Sequence, residues 1–143
     1  FIEEHATAWA VGIATVQEIQ RINILHASML AMQRAIEALP CTPERLLIDG
    51  NYYDPRPDEV EYHTIVKGDD RYLAIAAASI LAKTHRDAYM TQQAQEYPHY
   101  GWEQNKGYPT AQHREGIRQH GSCPLHRQGF QLLQPEPLFD LEK

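Results

Sequence analysis

The sequence predicts an α/β fold in which helices flank a mixed β-sheet. Three short segments are rich in residues that strands prefer, and three longer segments have the apolar spacing or the capping residues of helices. Their order along the chain is strand, helix, strand, strand, helix, helix. The 143 residues suit one domain, residues 1–143, and the 43% hydrophobic content provides enough apolar material for a core.

The three strands are predicted from local composition. Residues 6–14 alternate small and bulky side chains and contain many β-formers, which predicts the first strand. Residues 46–48 form a short continuous apolar run that ends in Asp49, as expected of a buried strand with a carboxylate at its carboxyl end. Residues 62–66 predict a third strand.

The helices are predicted from apolar spacing and from the residues that end them. A stripe at 4-3-4-3 spacing predicts the first helix, which Pro40 ends; it consists of Leu25, Met29, Met32, Ile36 and Leu39. The alanine-rich residues 72–97 predict a long helix that ends before Pro98. Thr110 is a typical N-cap for a shorter helix over residues 111–120. The tail from about residue 131 is expected to be loosely held.

Composition excludes several classes of protein. The net charge is −6, so nucleic acid can bind only through a local basic face or through metal ions. Cys41 and Cys123 are too few for a disulfide framework and lack zinc-finger spacing, which favours reduced thiols in a cytoplasmic protein. The sequence contains no run of eighteen apolar residues and no visible signal peptide, so no membrane association is expected. The chain begins with Phe1, and we expect it to be the middle of a protein.

Three polar residues of the long helix are candidates for a phosphate and metal site. Ser79, Lys83 and Asp87 are four residues apart, so they share one helix face. An alcohol, an ammonium and a carboxylate in one line suit the binding of a phosphate beside a metal. The alternative is a buried helix whose last turn carries a solvated ion pair.

Asp49 is the second candidate, because open α/β sheets place ligand-binding groups at the carboxyl ends of strands. The alternative is an aspartate that caps a turn with Gly50. If the alanine face of the long helix packs on the sheet, Asp87 can lie near Asp49, and two converging carboxylates suit Mg²⁺ or Mn²⁺. Phosphodiester hydrolysis by two metal ions needs three or four such ligands.

Residues 101–130 form a local basic region with four Lys or Arg and two Glu side chains, a local charge of +2. Three aromatic residues interleave with this charge, as is common in nucleic-acid surfaces: Tyr100, Trp102 and Tyr108. A solvated helix face above aromatic packing is the alternative. The histidines do not cluster with the cysteines, so zinc is not expected.

Six motifs together resemble the type 2 ribonucleases H, specifically the bacterial ribonuclease HII family. They agree in order and spacing up to about Phe130: Asn23-Ile24-Leu25; Leu47-Ile48-Asp49-Gly50-Asn51; Val66-Lys67-Gly68-Asp69; Ile75 to Lys83 followed by Arg86-Asp87; Lys106-Gly107-Tyr108-Pro109-Thr110; and Cys123-Pro124-Leu125-His126-Arg127. The resemblance implies a ribonuclease H-like mixed β-sheet flanked by helices, with a C-terminal helical segment. It also implies endonucleolytic cleavage of RNA in RNA/DNA hybrids and nicking at single ribonucleotides in DNA.

The resemblance also implies roles for individual residues. Family catalysis uses four carboxylates and two Mn²⁺ or Mg²⁺ ions, and Asp49 and Asp87 match the third and fourth carboxylates. Tyr108 matches the tyrosine that stacks at the ribose beside the RNA–DNA junction, where the 2′-hydroxyl distinguishes RNA from DNA. The remaining predicted substrate-binding residues are Ser79, Lys83, Lys67 and Lys106.

One part of the family pattern is missing. The family opens with a strand that carries adjacent Asp and Glu and with a Gly-Arg-Gly loop, whereas this chain matches only from the third strand onward. We therefore expect an N-terminally truncated chain that is inactive alone and exposes apolar surface for self-association, although the intact protein is expected to be a monomer. One alternative is a catalytically inactive nucleic-acid-binding fragment. The other is a metal-binding α/β domain that acts on another phosphoester.

Overall fold

The computed structural model describes residues 1–56, 60–129 and 133. The chain folds as two compact units, of which the first ends at Arg86 and the second begins at Asp87. The single domain predicted for residues 1–143 stays a prediction, and most of the predicted loose tail lies outside the described residues.

The first unit contains two parallel strands and the helices around them. Helices α1 (Ile2–His5) and α2 (Val16–Glu37) precede strands β1 (Leu46–Asp49) and β2 (Tyr62–Ile65). Helix α3 (Leu73–Glu96) follows, and its residues up to Arg86 belong to this unit. The strands pair with Leu46 opposite Tyr62 and Asp49 opposite Ile65. Alternate residues of a strand share a face, so Leu46 and Ile48 both reach the core, where they pack with Met29 of α2 and with Tyr53.

Helix α2 is two helical segments joined at Asn23. The first begins in a capping box, in which the Thr15 side chain and Glu18 satisfy each other's backbone N–H groups. At Asn23 the backbone leaves the helical region, with φ 64° and ψ 171°. The Asn23 Oδ1 atom accepts hydrogen bonds from the N–H groups of Leu25 and His26, so this side chain caps the second segment.

The strand predicted for residues 6–14 is wrong, because the structure has no strand there. This segment runs against α2 instead. A Cβ atom at Gly12 would overlap the carbonyl oxygen of Ala31, and the Arg34 guanidinium donates to the Ile13 carbonyl over 2.7 Å. A strand needs a partner ladder for its backbone groups, and the two described strands pair only with each other.

The second unit is built from helices. After α3 come a 3₁₀-helix (Pro98–Tyr100), α4 (Trp102–Asn105) and α5 (Ala111–His120). Its core consists of Met90, Ala94, Tyr100, Trp102 and Ile117. A Cβ atom at Gly116 would overlap the His99 carbonyl oxygen, so glycine at this position lets α5 approach the 3₁₀-helix closely.

Most element bounds follow the sequence prediction closely. Helix α5 spans the predicted residues, and the Thr110 Oγ1 atom accepts the N–H of His113 as its N-cap. Helix α1, the 3₁₀-helix and α4 were not predicted, since each is only one turn or less and carries no apolar period. Among the described helices, none is long and apolar enough to cross a membrane.

Candidate active site

The first candidate, Asp49, is the last residue of β1. Its Oδ1 atom accepts the backbone N–H of Gly68 over 2.8 Å, and the N–H of Gly50 continues the ladder to the carbonyl of Ile65. The Asp49 residue is exposed. One carboxylate oxygen is thus oriented by the protein while the side chain stays accessible to a ligand.

Gly68 positions the Asp49 carboxylate through its backbone N–H. The sequence alone did not identify Gly68 as a site residue. It is buried, and an added Cβ would lie 2.6 Å from Cδ1 of Ile75, 3.1 Å from the carbonyl oxygen of Ile65 and 3.4 Å from Oδ1 of Asp49. Its own carbonyl accepts the N–H groups of Arg71 and Tyr72, which lead into α3. The only sequence signal was a glycine inside the Lys67-Gly68-Asp69 motif.

Three predicted substrate-binding residues also belong to the first unit. Lys67 precedes Gly68 with φ 54°, a conformation that is uncommon for a residue with a side chain. Ser79 and Lys83 lie in α3, and all three residues are exposed. Because Gly68 is bonded to Asp49, the structure places the neighbouring Lys67 close to the Asp49 turn, and the substrate roles of these residues stay predictions.

The second carboxylate, Asp87, lies in α3 at the start of the second unit. Its Oδ1 atom is inaccessible to solvent. The backbone carbonyl of Asp87 accepts the hydroxyl of Thr91 over 2.9 Å, and the Thr91 Oγ1 atom accepts Lys106 Nζ over 2.6 Å. Lys106 Nζ also donates to the carbonyl of Glu103. The Lys106 ammonium is thus attached to α3 one helical turn beyond Asp87.

Tyr108 projects from a turn whose backbone is fixed on both sides. The Tyr108 N–H donates to the carbonyl of Asn105 over 2.8 Å, and the Tyr108 carbonyl is 3.0 Å from Nδ1 of His113. The buried Asn105 side chain donates to the carbonyl of Tyr100 and accepts the N–H of Gly107. Tyr108 itself is 58% exposed, so a rigid turn presents an accessible ring.

Each unit thus holds one predicted carboxylate together with a predicted cationic residue: Asp49 with Lys67, and Asp87 with Lys106. The proximity of Asp49 to Asp87 stays a prediction. Among the described residues, no group of three or more His, Cys, Asp or Glu side chains is placed to hold a metal ion.

The family model described as Ribonuclease HII matches residues 3–133 of this chain. The chain belongs to the ribonuclease HII family. Ribonuclease HII of Parabacteroides distasonis is 62% identical over 137 residues, which cover 96% of this chain and 68% of that protein. Ribonuclease HII of Phocaeicola vulgatus is 54% identical over 140 residues, or 98% of this chain and 69% of that protein. The chain therefore spans about two thirds of the length of these ribonuclease HII relatives.

A solved structure supports the fold independently. The crystal structure of the ribonuclease H2 from Pyrococcus horikoshii OT3 matches with a TM-score of 0.61 and 25% sequence identity, covering 82% of this chain and 63% of that one. The predicted resemblance to ribonuclease HII and the predicted ribonuclease H-like α/β fold are both confirmed.

Proposed function

We propose that this chain is part of a metal-dependent endoribonuclease. It would hydrolyse the RNA strand of RNA/DNA hybrids and nick DNA at single embedded ribonucleotides. Membership of the ribonuclease HII family carries this proposal, because the matched residues include Asp49 at the end of β1 and Asp87 in α3. The names of the relatives support a nuclease, and the substrate follows from the family resemblance.

The donor chemistry of the two aspartates fits Mn²⁺ or Mg²⁺. Both ions prefer hard carboxylate oxygens, and Mg²⁺ commonly takes one or two carboxylates and completes its shell with water and substrate phosphate. Asp49 is exposed and already oriented by the N–H of Gly68. Two carboxylates are half of the four that the resemblance implies, so we propose that the catalytic set in this chain is incomplete.

The chain's own residues would bind and orient the substrate. When bound, a divalent ion supplies Lewis-acid activation of water and charge stabilisation at the phosphate. Asp49 and Asp87 would hold the ions. Lys106, whose Nζ atom donates to Thr91 and Glu103, would contribute a positive charge to the binding of a substrate phosphate.

The other proposed substrate-binding residues are all exposed. Ser79, Lys83 and Lys67 offer an alcohol and two ammonium groups to the substrate backbone. Stacking of a nucleotide on the Tyr108 ring is worth about 1–3 kcal/mol per base, so Tyr108→Ala is expected to weaken binding beside the ribonucleotide by that amount.

Cleavage and metal binding test the proposal together. A DNA duplex with one ribonucleotide is incubated with the chain in Mn²⁺, and Mn²⁺ binding is measured in parallel by electron paramagnetic resonance. Asp49→Asn keeps an oxygen for the Gly68 N–H but removes the charge, so we expect at least about tenfold weaker Mn²⁺ binding. Because the catalytic set is incomplete, we expect nicking from neither the original chain nor the variant. Asp70→Asn makes the same charge change at an exposed residue near the helix start and is the matched control. Unchanged Mn²⁺ binding by Asp49→Asn contradicts the role of Asp49.

A catalytically inactive nucleic-acid-binding fragment is the second candidate function. It is favoured by the lack, among residues 1–56 and 60–129, of a three-residue metal-binding group. It predicts duplex binding that falls steeply with salt, needs no metal and is not followed by cleavage. Metal-dependent nicking at the ribonucleotide by the chain alone contradicts this candidate.

A further inference from the structure

A buried pair of histidines lies beneath the turn that carries Lys106 and Tyr108. His113 of α5 and His126 are each only 7% exposed, and their Nε2 atoms are 3.0 Å apart. At the outer end of the pair, His113 Nδ1 lies 3.0 Å from the carbonyl oxygen of Tyr108. At the inner end, His126 Nδ1 accepts the backbone N–H of Cys123 over 3.0 Å.

These contacts fix the proton on each ring. A backbone N–H can only donate, so His126 Nδ1 must be an acceptor, and neutral His126 carries its proton on Nε2. That proton is donated to Nε2 of His113, which leaves the proton of neutral His113 on Nδ1, facing the Tyr108 carbonyl. The pair is therefore a directional chain of hydrogen bonds that runs from the Cys123 backbone to the Tyr108 backbone.

The surroundings of His126 favour its neutral form. Burial, together with the nearby His113, lowers the pKa of His126 below its ordinary value. Tyr100 packs against both rings, and Cys123 Sγ lies 3.2 Å from His126 Nδ1. Burial raises the pKa of Tyr100 and of Cys123, the latter also under the influence of Glu96, so neither supplies a charge near neutral pH. A proton on His126 Nδ1 would face the Cys123 N–H and break the chain of hydrogen bonds.

We propose that His113, oriented by His126, is a positioning residue that fixes the Asn105–Thr110 turn so that the Tyr108 ring meets the ribonucleotide in one orientation. The turn is held at its start by the buried Asn105 side chain and at its end by His113. The role of Tyr108 at the ribonucleotide rests on the proposed function. The positioning of the turn by His113 is independent of that function.

Binding selectivity gives the functional test. Fluorescence anisotropy measures the affinity of the chain for a DNA duplex with one ribonucleotide and for the same duplex made only of DNA. His113→Leu removes the donor to Tyr108, and we expect the affinity ratio of the two duplexes to fall about three- to tenfold, the effect of losing one hydrogen bond. His113→Asn retains an N–H donor near the Nδ1 position and should recover most of the ratio. His120→Leu changes an exposed histidine of the same helix and is the matched control.

Amide chemical shifts give a test that needs no nucleic acid. In His113→Leu the N–H signals of Gly107 and Tyr108 should move, whereas in His120→Leu they should not. If His113→Leu does not fold, the Gly107 and Tyr108 signals of His113→Asn decide the question.

The two proposals can fail separately. Static Gly107 and Tyr108 signals in the folded His113 variants overturn the positioning inference, whatever the binding results. A Tyr108→Ala variant with an unchanged affinity ratio contradicts the ribonucleotide-reading role of Tyr108 itself. If Tyr108→Ala lowers the ratio and His113→Leu does not, the proposed function stands and the positioning inference is wrong.

Discussion

Replacement of Gly68 by alanine tests how the protein orients Asp49. The added Cβ would lie 2.6 Å from Cδ1 of Ile75, which is a severe overlap, and 3.1 Å from the carbonyl oxygen of Ile65. Ile75 is only 7% exposed, so its terminal methyl group cannot turn freely into solvent. The substitution must therefore displace either Ile75 or the Gly68 backbone, whose N–H holds the Asp49 carboxylate.

The expected cost follows from the size of the overlap. Inserting a carbon into a packed site typically costs about 1–3 kcal/mol, and we expect Gly68→Ala to lie in this range. Ile75→Val deletes the clashing Cδ1 atom and should cost about 0.5–1.5 kcal/mol alone. In the double variant the valine makes room for the new methyl group, so the destabilisation caused by Gly68→Ala should shrink or vanish.

A double-mutant cycle in urea measures this coupling. The unfolding free energies of the original chain, Gly68→Ala, Ile75→Val and the double variant should give a favourable coupling of about 0.5–3 kcal/mol. Mn²⁺ binding should weaken in Gly68→Ala and recover in the double variant, because the Gly68 N–H returns to Asp49. Single-variant effects that add to within about 0.5 kcal/mol would refute the steric reasoning.

Three further predictions concern the first unit. The hydrogen bond from Arg34, together with that from the Thr15 backbone, lowers the pKa of Glu18 from 4.5 to about 2. Ionised Glu18 therefore stabilises the folded chain fully above pH 4.5, and this contribution is lost as the pH falls toward 2. Urea midpoints of the original chain and Glu18→Gln should converge in acid, and parallel curves would contradict this. Asn23→Ala should lower the free energy of unfolding in urea by about 1–2 kcal/mol, more than Asn23→Gly does. Both variants lose the cap, but alanine also tolerates φ 64° poorly. A cost for alanine equal to or smaller than that for glycine would contradict this prediction. Leu73, which is 87% exposed, should promote self-association in sedimentation velocity that Leu73→Lys reduces, and a monomer at every concentration would contradict this.

Elements with strong local signals were predictable from the sequence. Helix α5 has a threonine N-cap and a glycine after its end, and β1 is a short apolar run. The alanine-rich α3 was predicted to within a residue at each end, because its composition favours helix throughout and Pro98 stops it. These signals lie within the segments themselves, so no tertiary information was needed.

Features that depend on distant residues were not predictable. Residues 6–14 have the composition of a strand. The close approach of Gly12 to Ala31 and the hydrogen bond from Arg34 nevertheless place this segment against α2. The Gly68 N–H meets Asp49 across 19 positions in the sequence, and His113 meets His126 across 13. Composition and spacing do not report such contacts, which arise only when the elements pack.

Recognition of a ribonucleotide is tested most directly by binding of the chain to two DNA duplexes that differ only in one embedded ribonucleotide. Fluorescence anisotropy in the presence of Mn²⁺ measures both affinities, and it does not require a complete catalytic set. We expect tighter binding to the ribonucleotide-containing duplex and loss of that preference in Tyr108→Ala. Equal affinity of the original chain for the two duplexes would contradict this expectation.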